Sequence, residues 1–358
     1  MRPALVLSLV CSLVPCREVA PQQADGVAER ASRLHAIVRA YNAAVDSLTG
    51  PASAVAVNER IMARAALKLA TARQLRALAL ANPSDTVARD AIVFHLDRLR
   101  NDESSARYYN LLAEWHATSA AIAPVAGSRF ATDRFLAAVA TVNPDPQLRG
   151  DAAVRLARRR ADANDWRTVD SIAVALAAGS GLDVHRRIGV DLMFQARNLQ
   201  LGMPLPELAG RDLDGADRKF MPEFLRVVTL VVFWAGWCEP CVRDIPGDRT
   251  LLRRYRGRPL SIVGVNSDRT AADARAAVRH LNVPWLSLRD EDLGVAGKSI
   301  TARWGVRILP TKFLVDHEGV IRAVRRGEAP DTAFDSLLER LVMAAEAERN
   351  SAHRRAGG

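Results

Sequence analysis

The run Val227-Val228-Thr229-Leu230-Val231-Val232-Phe233, followed directly by Trp234-Ala235-Gly236-Trp237-Cys238-Glu239-Pro240-Cys241, decides how the rest of the chain is read. Its leading part is apolar and rich in β-branched side chains, which reads as a buried strand. Two cysteines separated by two residues come next, and the pattern after them can wind as a helix. A thiol in the first turn of a helix faces unpaired backbone N–H groups and the positive end of the helix dipole, so its thiolate is favoured. A second thiol three residues on lies on the same helical face, close enough to close a disulfide on the first. Cys238 is therefore expected as the exposed, attacking thiolate and Cys241 as the more buried, resolving thiol.

A Cys-x-x-Cys pair also fits half of a zinc site or a purely structural disulfide. Closed zinc sites take four N or S ligands. The other cysteines, Cys11 and Cys16, lie in a segment read below as a leader, and the nearest histidines, His280 and His317, show no paired ligand spacing. The expectation carried forward is redox chemistry, with no metal and no cofactor beyond a Cys238–Cys241 disulfide.

With 358 residues the chain is long enough for two domains with real cores. Its 49% hydrophobic and 25% charged residues are those of a globular protein. The formal charge of +10 invites a nucleic-acid reading, but Lys68, Lys219, Lys298 and Lys312 are the only lysines. The arginines are scattered rather than gathered with aromatics, which argues against nucleic acid as a partner. Met1-Arg2-Pro3 followed by apolar Ala4 to Val14 has the basic start and short core of an export signal, assigned to residues 1–20. Leu13-Val14-Pro15-Cys16 resembles a lipoprotein processing box, with Pro15 departing from the small residue usual there. The expected location is the cell envelope, on its periplasmic side, secreted or lipid-anchored through Cys16. In either form Cys238 and Cys241 are the free thiols of the mature chain, which suits an oxidising compartment.

From residue 26 to about 200 helical periodicity dominates, and no strand pattern interrupts it. The expected helices are Ala28–Leu48, Ile61–Leu80, Thr86–Arg100, Ser104–Thr118, Asp133–Thr141, Pro146–Ala161, Asp165–Ala178 and Val184–Leu199, forming a bundle or a repeat-like array. Trp115, Trp166 and the Tyr108-Tyr109 pair could line a groove for a protein partner, although core is the commoner fate of such residues. At Leu201 the character changes to Pro-stiffened loops, strands and helices through residue 346. Strands alternate with helices, then a hairpin around His317-Glu318-Gly319 and a final helix Thr332–Ala347 follow, with residues 347–358 as a loose tail. The fold class is an all-helical N-terminal domain followed by an α/β sandwich with a mixed central sheet.

Residues 201–346 resemble the thioredoxin fold, and within it the TlpA/ResA-like thiol–disulfide oxidoreductases. Gly202-Met203-Pro204-Leu205-Pro206 is similar to the family's opening, and Phe233 to Cys241 matches its active-site signature, including the Glu239-Pro240 dipeptide. Val242-Arg243-Asp244-Ile245-Pro246 looks like the segment after the second cysteine, and Gly305 to Thr311 like the loop that holds a cis-proline, here Pro310. The resemblance implies that Pro310 presents backbone to an extended substrate beside Cys238 and that Trp237 shields the thiols. It also implies protein clients with disulfides, apocytochrome c or metal-site thiols among them, and a membrane or soluble thiol as electron donor.

Val232 stands where thioredoxins proper carry a buried aspartate, and the resemblance suggests that Asp244 serves instead by assisting deprotonation of Cys241. Glu239 beside Cys238 disfavours the thiolate, which makes the pair more reducing. The expected activity is therefore reduction of disulfides in exported proteins. The alternatives are a thiol peroxidase on the same fold, against which Trp237 rather than Thr or Ser precedes Cys238, and a binding scaffold in which the redox domain is merely localised.

Overall fold

Our computed structural model describes residues 22–49, 54–99, 105–179, 182–220, 226–291, 299–328 and 331–356. The expected leader, with Cys11 and Cys16, lies outside them. The chain divides into two compact units between Ala152 and Ala153, inside the stretch 26–200 expected as one helical domain, and the first strand begins at Leu208.

In the first unit the helical periodicity becomes α1 (Gln22–Ser47), α2 (Ala54–Ala81), α3 (Thr86–Phe94), α4 (Ser105–Trp115), α5 (Ala123–Ala126) and α6 (Asp133–Val142). Side chains cap them at the expected chemistry: Asp85 accepts the Ala88 N–H and Thr132 the Phe135 N–H. The expected helix over Thr86–Arg100 changes at His95 into a wider turn over His95–Leu99, a local departure that apolar periodicity does not register. Tyr108 and Tyr109 are core, with Tyr109 packed on Phe135 at 5.1 Å between ring centroids, while Trp115 is exposed. His95, His116 and His185 are buried, and His116 Nε2 is 2.7 Å from the Pro83 carbonyl.

The division falls within α7 (Pro146–Asp162), and the second unit continues with α8 (Trp166–Ala178) and α9 (Asp183–Asn198). A two-stranded hairpin, β1 (Leu208–Arg211) and β2 (Asp217–Phe220), turns through Asp212–Gly215. The main sheet contains β3 (Val228–Trp234), β4 (Leu260–Asn266), β5 (Ser287–Arg289), β6 (Thr311–Val315) and β7 (Ile321–Arg326) in the order β5-β4-β3-β6-β7. β3, β4 and β5 run parallel, β6 runs antiparallel to β3 and β7 antiparallel to β6, so the sheet is mixed. The remaining helices are α10 (Glu239–Arg254), α11 (Ala271–Leu281), α12 (Ile300–Arg303) and α13 (Thr332–Ala356).

β3 is the central strand and is buried on both faces, which is why it reads as a continuous apolar run rather than an alternating one. Leu230, Val232 and Trp234 enter a core with Ile245 of α10 and Phe334, Leu338 and Val342 of α13. Val231 and Phe233 enter the opposite core with Leu199, Trp304 and Phe313. Full burial of each such large side chain stabilises the fold by about 1.5–3 kcal/mol.

The loose tail expected over 347–358 is instead helical as far as Ala356. No Gly or Pro interrupts the segment before Gly357. Arg258 also grips Glu346 with two bonds of 2.7 Å, and Glu348 accepts from Arg226 at 2.7 Å.

Candidate active site

The C-terminal end of β3 delivers Ala235, Gly236 and Trp237 to the start of α10, where Cys238 is the N-cap residue. Its Sγ accepts the Cys241 N–H at 3.2 Å, so the sulfur sits on a backbone donor that a helix N-terminus leaves unpaired. Cys238 and Cys241 form a disulfide, with their Cα atoms 5.2 Å apart. Pro240 occupies the first helical turn, where its missing N–H removes no intrahelical bond. Expected as exposed, Cys238 is in fact only 5% exposed, against 1% for Cys241, and both belong to the buried core that also holds Trp234, Ala235 and Ile245.

Trp237 is 68% exposed, and its indole N–H reaches the Ser267 carbonyl at 3.4 Å, which ties the ring to the loop after β4. The loop before it is held by a residue that sequence reading missed. The Gly236 N–H donates to both oxygens of Asp268, at 2.9 and 3.0 Å, and Asn266 Nδ2 fixes that carboxylate at 2.8 Å. A Cβ on Gly236 would lie 2.6 Å from the Ala277 Cβ, which explains the glycine. The signal for Asp268 lay in the topology: Trp234 and Asn266 are partners at the ends of parallel strands, so the residues just beyond them meet.

β6 runs antiparallel to β3 with Thr311 opposite Phe233, which brings the preceding Pro310 to the disulfide end of the sheet. The Leu309–Pro310 bond is cis, and the Pro310 carbonyl accepts the Gly327 N–H at 2.8 Å. Glu239 is on the surface and pairs with Arg243 at 2.5 Å. Arg243 in turn grips Glu328 at 2.7 and 3.0 Å, and these bonds raise its pKa. The charge of Glu239 next to Cys238 is thus partly offset by a neighbouring cation.

Beneath the disulfide, α10 carries Asp244 and Asp248 on the helical face that bears Cys241. Both are engaged by Lys312 of β6: its Nζ lies 2.5 Å from Asp248 Oδ1 and 2.7 Å from Asp244 Oδ2. Arg325 of β7 adds a second cation to Asp244 at 2.9 Å. Lys312 is only 1% exposed. Val232 is its Cα partner on β3, so the two side chains share one face of the sheet. The buried charge that the resemblance associates with the Val232 position therefore sits on the neighbouring strand and the overlying helix.

Asp248 Oδ2 has no protein hydrogen-bond partner among the described residues. Burial pushes the Asp248 carboxyl up, against the opposing pull of Lys312. Sequence reading singled out Asp244 alone. The available clue to the rest was a lysine in the middle of an otherwise apolar strand.

A Redoxin family model matches residues 200–341. Among solved structures, a thiol:disulfide interchange protein of the thioredoxin family from Chlorobium tepidum TLS is 18% identical, with a TM-score of 0.32, and covers 40% of this chain and 98% of that one. The thiol-disulfide oxidoreductase ResA of Bacillus thuringiensis (strain Al Hakam) is 26% identical over 176 residues, 48% of this chain and 93% of that protein. The thiol:disulfide interchange protein DsbE of Allochromatium vinosum is 33% identical over 141 residues, 39% of this chain and 74% of that protein. This chain belongs to the thiol–disulfide oxidoreductases. In this oxidoreductase the Redoxin match begins after α9, so the helices before β1 lie outside it, although α8 and α9 share a compact unit with the sheet.

Proposed function

We propose that this oxidoreductase reduces disulfides of exported proteins on the outer side of the cytoplasmic membrane, with Cys238 as nucleophile and Cys241 as resolving thiol. The observation that carries the assignment of Cys238 as nucleophile is its sulfur held at a helix N-cap on the Cys241 N–H, while the reducing direction rests on Glu239 and the family resemblance. Such a position favours thiolate over thiol. The Cys238 thiolate attacks one sulfur of a client disulfide, forming an enzyme–client disulfide and releasing the other client sulfur as thiolate. Cys241 then loses its proton and attacks Cys238, which releases the second client sulfur with its electron pair. Two electrons have passed to the client, and the Cys238–Cys241 disulfide awaits reduction by a membrane or soluble thiol donor.

Pro310, at the same end of the sheet as the disulfide, borders the path of an extended client segment. Asp244 lies one helical turn from Cys241 and is the carboxylate assigned to ease its deprotonation. Clients of the apocytochrome c kind follow from the family resemblance. The envelope location follows from the export-signal pattern of residues 1–20. No helix among the described residues is long and apolar enough to cross a membrane.

The test is a redox-buffer titration of the Cys238–Cys241 pair in the full chain. A reduction potential near that of thioredoxin, about −270 mV, supports a reductant. A value near −120 mV, as in strong disulfide donors, reverses the direction. Cys241→Ser should trap clients as mixed disulfides, and their identity tests the client class.

A further inference from the structure

Helices α7 to α9 precede the Redoxin match, yet α9 is tightly fastened to the loop that leads to Pro310. Gln195 Nε2 donates to the Arg303 carbonyl at 3.2 Å, and the Arg303 guanidinium stacks over the Phe194 ring at 4.1 Å. Gly305 has φ +65°, and a Cβ there would lie 2.5 Å from Gln195 Oε1. Between the last turn of α7, α9 and this loop lies an open cavity of about 430 Å³, within the size range of ligand sites. Its floor is aromatic, with Trp166, Trp304 and Phe313, and its rim carries Arg158, Arg307 and Arg326. A second depression of about 400 Å³ continues from Trp166 and Arg326 along the edge strand β7 towards Leu201.

The charges on this rim are unbalanced. Arg307 pairs with Asp162 at 2.6 Å, and Asp191, the other lining carboxylate, is buried and already partnered. Arg158 and Arg326 have no carboxylate partner among the described residues. Partial burial, together with the neighbouring Arg307 and Arg155, pushes the Arg158 guanidinium below its usual value. An incoming carboxylate relieves that repulsion, and the aromatic floor accepts an apolar side chain beside it.

The cavity lies on the opposite face of the sheet from α10 and the disulfide, and it meets the site where β6 begins and β7 ends. Arg326 is the Cα partner of Thr311, and the next residue, Gly327, donates to the Pro310 carbonyl. A client chain that passes Pro310 reaches Arg326, and beyond it Trp166, by turning over this end of the sheet.

We propose that this cleft is a second client subsite, which takes an acidic residue next to an apolar or aromatic one a few residues from the client cysteine. The proposal rests on the reading that Cys238 attacks client disulfides, and it names the class of client.

The experiment measures kcat/KM of the full chain, with dithiothreitol as electron donor, on peptide disulfides that share an aromatic residue. The peptides differ at the neighbouring position, which is Asp, Asn or Lys. A small neutral disulfide such as hydroxyethyl disulfide serves as reference. We expect the Asp peptide to be preferred over the Lys peptide by about fivefold, the scale of a partly exposed ion pair. Arg158→Glu should abolish or reverse that preference and leave the reference rate unchanged, and Arg326→Glu should act in the same direction. Equal kcat/KM for the three peptides, or a preference that survives both variants, overturns the proposal. A cysteine-free Asp-Trp peptide amide should compete with the Asp peptide. Competition by free carboxylic acids alone makes the cleft a small-anion site and overturns the client assignment. Failure on hydroxyethyl disulfide itself strikes the thiol reading rather than the subsite.

Discussion

The start and the middle of helix α10 are built on different principles. At its N-terminus the disulfide, the capping sulfur and the helix-starting proline all come from four consecutive residues, Cys238 to Cys241. One and two turns further on, Asp244 and Asp248 depend on Lys312 and Arg325, which are 64 to 81 residues away in sequence. The first is local chemistry that any chain with this motif carries into a helix. The second is a buried charge cluster that exists only when β6 and β7 are in place. A reactive group can thus be specified by spacing, while the charges that surround it must be assembled by the fold.

The largest test of this contrast is at the thiols. Cys238→Ser should lower disulfide-reductase turnover by at least about a thousandfold without unfolding the chain, because the nucleophile is lost but the cap geometry is served by a hydroxyl. Circular dichroism and turnover on the same sample check both halves of that statement. A thiol variant that unfolds would make the local end structural and erase the contrast.

Lys312→Met should instead act on stability. It removes the cation paired with the buried Asp248 and leaves Asp244 with Arg325 alone, and loss of one partner from a buried ion pair costs about 3–5 kcal/mol. Urea unfolding measures it. The double variant Lys312→Met, Asp248→Leu should recover part of the loss, since Asp244 keeps Arg325.

The two carboxylates should then separate by pH. The pKa of Asp248 is raised by burial, so the folded chain holds that proton more tightly than the unfolded one. Stability from this group is therefore full at low pH and declines as pH rises from the ordinary carboxylate value through the raised one. Asp248→Asn should remove that slope in unfolding midpoints taken across the acid range. Asp244→Asn should keep the slope and alter the pH profile of the resolving step at Cys241. An unchanged exchange profile in Asp244→Asn would remove Asp244 from the chemistry.

Glu239→Gln should have the smallest effect. Its side chain is 84% exposed and already paired with Arg243, so screening limits the change in Cys238 reactivity to about twofold. Rapid alkylation of the reduced protein across pH reads the thiol pKa directly. A large shift would show that the first turn is far less screened than its exposure implies.

Much of the fold was legible from local pattern. α8 ends at Ala178, as the expected Asp165–Ala178 helix does, and β3 is displaced by one residue from the run Val227–Phe233. The extra helical turns of α13 were not legible, because Glu346 and Glu348 find their arginines only after folding. Nor did the periodicity of α8 and α9 reveal that they share a unit with the sheet. An amphipathic pattern says that a face is buried, not against what. Asp268 looked like one more loop carboxylate until β4 placed it under Gly236.

The sequence by itself determined the redox pair, the strand that presents it and the helix that caps it, because each depends on residues within a few positions of one another. Only the tertiary structure decided that Lys312 lies under the disulfide helix, that Asp244 has two cations and Asp248 one, and that arginines without a carboxylate partner among the described residues gather beside the Pro310 loop. Those facts depend on register between strands and on which helix covers which face. The free energy of a buried charge or a crowded cation is set by neighbours in space, and chain order does not list them.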